Sequence, residues 1–133
     1  MMLVDTDVCI DFFSGTEPGA SAVTELIQKN SACVSVITLF ELSAGITGEK
    51  RKKQIDVFSS VVPAAPVADA EALKAAEIYT DLRKSGKLIG NQDILIASTA
   101  LVLDMPLVTR NTGHFGRVPG LNVMSPEQVL EMY

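Results

Sequence analysis

The chain has 133 residues, 47% of them hydrophobic, with no Trp, 5% aromatics and a net charge of −5. That length suits one domain, residues 1–133, with a core of Val, Leu, Ile and Ala, and it is short for two. The acidic balance argues against a generic polyanion binder, although a metal-binding carboxylate cluster can coexist with local basic patches that meet phosphates.

In chain order, Leu3–Asp5 closes a first strand and Thr6 caps a short helix through Phe13. This start lacks a basic segment, and Asp5 and Asp7 interrupt its apolar run, so it does not read as a signal peptide. SGTEPG is a turn, and Ala20–Lys29 then shows helical apolar spacing at Val23, Leu26 and Ile27. ACVSVI, Ala32 to Ile37, is a second buried strand. Cys33 within it and Cys9 before it both lie in apolar stretches. They read as buried free thiols in a reducing, cytoplasmic setting. Thr38 opens a helix that ends near Gly45 or Gly48, and Lys50–Ser60 is helical with a basic solvent face. VVPAAPV is a short strand broken by prolines. Asp69 caps a long helix running to Ser85, with Gly86 as its terminator. Asn91 caps the next, which runs to about Asp104. Its ILIASTALVL stretch is about half the roughly 20 residues a membrane span needs, so no membrane association is expected. PLVTRN and LNVMS supply the last two strands, and Ser125-Pro126-Glu127-Gln128 is a capping box opening the final helix. This alternation predicts an α/β fold, a mostly parallel central sheet of four to five short strands with helices on both faces. Sites in such sheets lie beyond the carboxyl ends of the strands.

Asp5 lies at such an end. Glu41 follows one turn into the helix after the second strand, Asp93 sits in the first turn of a mostly apolar helix, and Thr109, Arg110 and Asn111 end a later strand. A parallel sheet can gather these groups on one edge, where helix dipoles favour ionised carboxylates. Oxygen ligands suit a hard divalent ion, Mg²⁺ with Mn²⁺ as substitute, rather than zinc, and the single His114 excludes a multi-histidine site. Such ions activate water and neutralise charge in phosphoryl chemistry.

Each residue also has a purely structural reading. Asp5 can accept backbone N–H bonds at a strand–helix turn, Thr38 to Glu41 is itself a capping-box pattern, and Asp93 can complement a helix dipole at the second helical position. Asp7 reads as a first-turn helix residue rather than a ligand. The run Glu49 to Lys53 reads as a solvated helix face, Arg83, Lys84 and Lys87 fit a dipole role at a helix end, and His114 reads as a loop residue.

Four stretches, LVDTDVCIDF, SVITLFELSAGI, GKLIGNQDILIASTAL and PLVTRNTGHFGRVPGLNV, extend in order from residue 3 to residue 124. With their acids in place, the chain resembles PIN-domain ribonucleases, in the VapC/FitB-like toxin branch of type II toxin–antitoxin pairs. The resemblance implies a Mg²⁺-dependent endoribonuclease with metal-binding and catalytic roles for Asp5, Glu41 and Asp93. Thr6 and Thr109 fall where hydrogen bonds support the site. Asp7, where many members have Asn, is assigned to the same supporting layer. Asn111 stands where many PIN nucleases have a fourth Asp, and its neutral carbonyl oxygen would weaken a second-ion site without abolishing the first. Arg110 and Lys87 are expected phosphate contacts. The resemblance also implies an RNA substrate, a homodimer, and a cognate antitoxin whose extended tail lies over the acidic edge. On charge grounds that tail should carry an Arg or Lys, since a cation among Asp5, Glu41 and Asp93 can stand in for Mg²⁺. Two alternatives compete. A non-catalytic PIN-like module that binds a partner or RNA would be marked by loss of an acid, and all three are present. A haloacid-dehalogenase-like phosphatase would share the Asp-x-Asp of LVDTDVC. It would need a Thr where Cys9 stands and a convincing catalytic Lys further on.

Overall fold

The computed structural model describes residues 1–133. Five strands form one sheet: β1 (Met2–Val4), β2 (Ala32–Ser35), β3 (Ala64–Ala65), β4 (Leu107–Val108) and β5 (Val123–Met124). Their order is β3-β2-β1-β4-β5 and every pairing is parallel. β1 is central, so the chain winds outward from it in both directions. Met2 pairs with Ala32 on one side, and Leu3 and Val4 pair with Leu107 and Val108 on the other.

Eight helices cover the sheet: α1 (Thr6–Ser14), α2 (Gly19–Gln28), α3 (Val36–Ala44), α4 (Glu49–Val61), α5 (Asp69–Lys84), α6 (Asn91–Val102), α7 (Thr112–Phe115) and α8 (Pro126–Glu131). None is long and apolar enough to cross a membrane. Both faces of the sheet are buried, which explains why its strands are continuous apolar runs rather than alternating ones. Side chains still alternate by face. Met2, Val4, Ala32 and Val34 join the core shared with α1, α2, α4 and α8, whereas Leu3, Cys33 and Leu107 join the core shared with α5 and α6. Leu3 and Leu107 have no exposed surface, and truncating either to Ala would cost roughly 2–5 kcal/mol. Cys9 and Cys33 are buried and unpaired with each other.

Several helix starts differ from the sequence expectation. Asp5, not Thr6, is the N-cap of α1, and Thr6 is its first helical residue. β2 ends at Ser35, whose hydroxyl accepts from Ile37 N at 3.1 Å and so starts α3 two residues before Thr38. The extended backbone of Ser35 and its short oxygen make it the better cap, and packing overrides the β preference of Val36 and Ile37. Thr38 is therefore interior to α3, and the Thr38–Glu41 capping box does not exist. Asp69 and Asn91 are first helical residues rather than caps, behind Ala68 and Gly90. The one-turn α7 was not expected, and it takes His114 out of a loop. The capping box of α8 is present: Ser125 Oγ accepts from Gln128 N at 3.2 Å and Gln128 Oε1 from Ser125 N at 2.8 Å. Gly86 follows α5 at φ +67°, a left-handed conformation that ends the helix as expected.

Candidate active site

Asp5 is fixed by its place in the sheet. Its N–H donates to Val108 O at 2.9 Å, extending the β1–β4 ladder by one residue and bringing it beside Thr109. Its side chain caps α1, with Oδ1 accepting from Thr6 N at 2.8 Å, while Oδ2 accepts from Thr109 Oγ1 at 2.7 Å. Thr109 is fully buried and in turn accepts from Asn111 N at 3.0 Å. The strand end of β1 thus receives its carboxylate contacts from α1 and from the end of β4, on either side of the position where the winding reverses.

Asp7 and Glu41 complete one wall. Thr6 Oγ1 lies 2.8 Å from Glu41 Oε1 and 3.0 Å from Thr38 Oγ1. A hydroxyl has one proton, which serves the carboxylate and leaves Thr38 to donate to Thr6. Glu41 is the sixth residue of α3, so it is held from the second helical turn by α1. Asp7 Oδ2 accepts from Arg110 N at 3.2 Å, whereas its Oδ1 is buried with no partner. Asp93, third in α6, faces them from the opposite core layer, with His114 Nδ1 3.6 Å from its Oδ2. Asp5, Thr6, Asp7, Ile10, Glu41, Asp93, Asn111 and Phe115 line a cleft of about 280 Å³.

Burial and mutual repulsion shape the charges. Desolvation, with Asp7 beside it, pushes the Asp5 carboxyl up to about 7 despite the bonds from Thr109 and Thr6. Burial also raises Asp7 and Asp93, the latter partly drawn back by His114. Desolvation and the charges of Asp5 and Asp7 raise the buried Cys9 thiol, which is thereby kept neutral.

The sequence brings Asp5, Glu41, Asp93, Thr6, Asp7 and Asn111 to one cleft, with Thr109 behind Asp5. Lys87 stands in the α5–α6 loop and does not line it. Arg110 is half exposed and held by acids: its Nε is 3.1 Å from Asp11 Oδ2 and 3.8 Å from Asp7 Oδ2. Asp11 was not singled out from the sequence, although its spacing of four from Asp7 places both on one face of α1. It is buried, and a Cβ at Gly19 would come within 2.8 Å of its own Cβ, so Gly19 is what lets α2 pass. Thr38 and His114 were also missed as site contacts.

No three acidic, His or Cys side chains form a ready-made metal cage. The donor set nonetheless fits a hard divalent cation: carboxylate oxygens, an unpartnered buried Oδ1 on Asp7, and an Asp5 charge that its surroundings disfavour.

A parallel α/β sheet with carboxylates converging where its winding reverses defines a class of domain built to concentrate negative charge at one edge. Comparison with known proteins narrows that class. The PIN domain family model matches residues 2–121. Ribonuclease VapC1 of Methanocaldococcus jannaschii is 31% identical over 117 residues, covering 88% of this chain and 80% of the relative. Ribonuclease VapC2 of Rickettsia felis is 32% identical over 124 residues, 90% of this chain and 92% of the relative. Among solved structures, VapBC2 from Rickettsia felis bound to a promoter DNA fragment aligns with a TM-score of 0.84 at 27% identity, over 93% of this chain and 97% of that one. The chain belongs to the PIN-domain family, in its VapC branch.

Proposed function

We propose that this protein is a Mg²⁺-dependent endoribonuclease, the toxin of a type II toxin–antitoxin pair, that hydrolyses RNA phosphodiester bonds. The observation that carries the proposal is Asp5, buried at a strand end among further acids with its carboxyl pushed to about 7. An arrangement that unfavourable calls for a compensating cation. Asp5, Glu41 and Asp93 would hold the ion, and Asn111 would add a neutral oxygen. Bound there, Mg²⁺ or Mn²⁺ would lower the pKa of the attacking water and neutralise charge developing on the phosphate. The protein's own part is positional. Thr109 and Thr6 N–H fix the two oxygens of Asp5, Thr6 Oγ1 fixes Glu41, and Ile10 and Phe115 add the apolar part of the cleft lining.

The antitoxin would seat on a groove away from the acids. Phe12, Phe13, Ile27, Val57, Phe58 and Val61 line an apolar groove of about 570 Å³ with Lys50 and Lys53 at its edge. That surface suits a partner helix with an apolar stripe and acidic flanks. Leu73, 69% exposed, and Tyr79 on α5 are available to a second copy in a homodimer. The relatives named ribonuclease VapC, and the VapBC2 complex, support the toxin assignment.

RNA cleavage measured with EDTA and after Mg²⁺ or Mn²⁺ is restored tests the proposal. Cleavage should vanish in EDTA, return with either ion, and stay absent in Asp93→Asn. A second reading, a PIN-like module that grips a partner without cleaving, draws on Glu41 being tied to Thr6 with no ready-made cage. It predicts no divalent-dependent cleavage by a folded chain.

A further inference from the structure

Asn111 and His114 stand three residues apart at α7, and Asn111 Nδ2 lies 3.0 Å from His114 Nδ1. An amide nitrogen only donates, so this contact is a hydrogen bond when His114 Nδ1 is the acceptor and the ring proton sits on Nε2. Asp93 Oδ2, at 3.6 Å from the same nitrogen, is beyond hydrogen-bond range, so in the neutral ring Nδ1 is left to accept from Asn111; only a charged ring would present Nδ1–H to Asp93. Donation to the imidazole has a consequence at the other end of the amide. With NH₂ turned to His114, Oδ1 is the end left for the cleft that Asn111 lines with Asp5 and Asp93. An asparagine with no such acceptor would turn the other way, because its NH₂ would donate to the nearest carboxylate. A cation entering the cleft would then meet a donor. The backbone is not free to compensate, since Asn111 N–H is held by Thr109 Oγ1 at 3.0 Å.

We infer that His114 is a positioning residue whose Nδ1 holds the Asn111 amide with its carbonyl oxygen toward the cleft, so that a neutral side chain serves as an oxygen ligand. The inference rests on the proposed divalent-cation site. It goes further by giving a role to the chain's one histidine, which does not itself line the cleft.

A double-mutant cycle read by Mn²⁺ calorimetry on the full chain tests it. His114→Ala should weaken Mn²⁺ binding roughly 10-fold, the scale seen when a partner that orients a ligand is removed. In an Asn111→Asp background the same change should matter by less than about twofold, because a carboxylate presents an oxygen whichever way it turns. His114→Asn, which offers an oxygen near the Nδ1 position, should recover most of the affinity. With one histidine, the ring-nitrogen NMR spectrum is unambiguous, and the neutral ring should carry its proton on Nε2. Normal wild-type binding with an equal loss in both backgrounds, or a proton on Nδ1, overturns this inference alone. Absence of Mn²⁺ binding by the wild type overturns the metal reading, and this inference with it.

Discussion

Replacing Asp5 with Asn separates the charge of this residue from its shape. Burial and the neighbouring Asp7 move the Asp5 carboxyl from its ordinary 3.8 to about 7. Between those values the folded chain keeps a proton that the unfolded chain has released. Stability conferred by that proton is complete below 3.8, declines as pH rises, and is gone above about 7. At about 1.4 kcal/mol per pH unit, the full loss is on the order of 4 kcal/mol. The asparagine carries no charge to desolvate. It keeps an oxygen for Thr6 N–H but places NH₂ where Oδ2 now accepts from Thr109 Oγ1. Rearranging that one hydrogen bond costs roughly 1 kcal/mol. Asp5→Asn should therefore be more stable than wild type by about 2–3 kcal/mol near pH 7.5 in EDTA, with the advantage vanishing toward pH 4–5. Urea unfolding of both proteins across that range measures the gap directly. Added Mg²⁺ should raise the wild-type midpoint and leave the variant's unchanged, because only the wild type gains a ligand in the folded state. A variant less stable than wild type near neutral pH, or a gap that does not change with pH, would refute the reasoning.

Glu41→Gln should abolish cleavage of a test RNA while shifting the melting temperature by no more than about 2 °C, since Gln can still accept from Thr6 and no capping box is lost. A fully active Gln variant would remove Glu41 from the catalytic set. Gly19→Ala should destabilise by about 1–3 kcal/mol in chemical denaturation, because its Cβ would fall 2.8 Å from that of Asp11 where α2 crosses α1. Unchanged stability would mean that the α1–α2 crossing has slack the structure does not indicate.

Local signals in the sequence were enough for the parts of this fold that depend on near neighbours. Apolar runs marked β1 and β2 because both faces of the sheet are covered, and Gly86 and Ser125–Gln128 marked helix ends because a left-handed turn and a reciprocal cap need particular residue types at short range. The acids were recognised through four motif blocks whose order matches a family. Sequence did not decide which of two nearby residues caps a helix: Ser35 displaces Thr38, three positions on, and Asp5 displaces the adjacent Thr6. Those choices depend on where the strand's last ladder bond falls, and that bond comes from another strand. Nor did it show that Arg110 turns to Asp11, that Thr6 holds Glu41, or that His114 meets Asn111 beside Asp93. The first two join residues 99 and 35 positions apart; the third lies within one turn of a helix that no periodicity announced. Side chains of this kind find their partners only after β1 has taken the centre of the sheet and α1, α3, α6 and α7 have been drawn to its carboxyl edge, because hydrogen bonds act over about 3 Å while the order of the strands is set by burial across the whole domain.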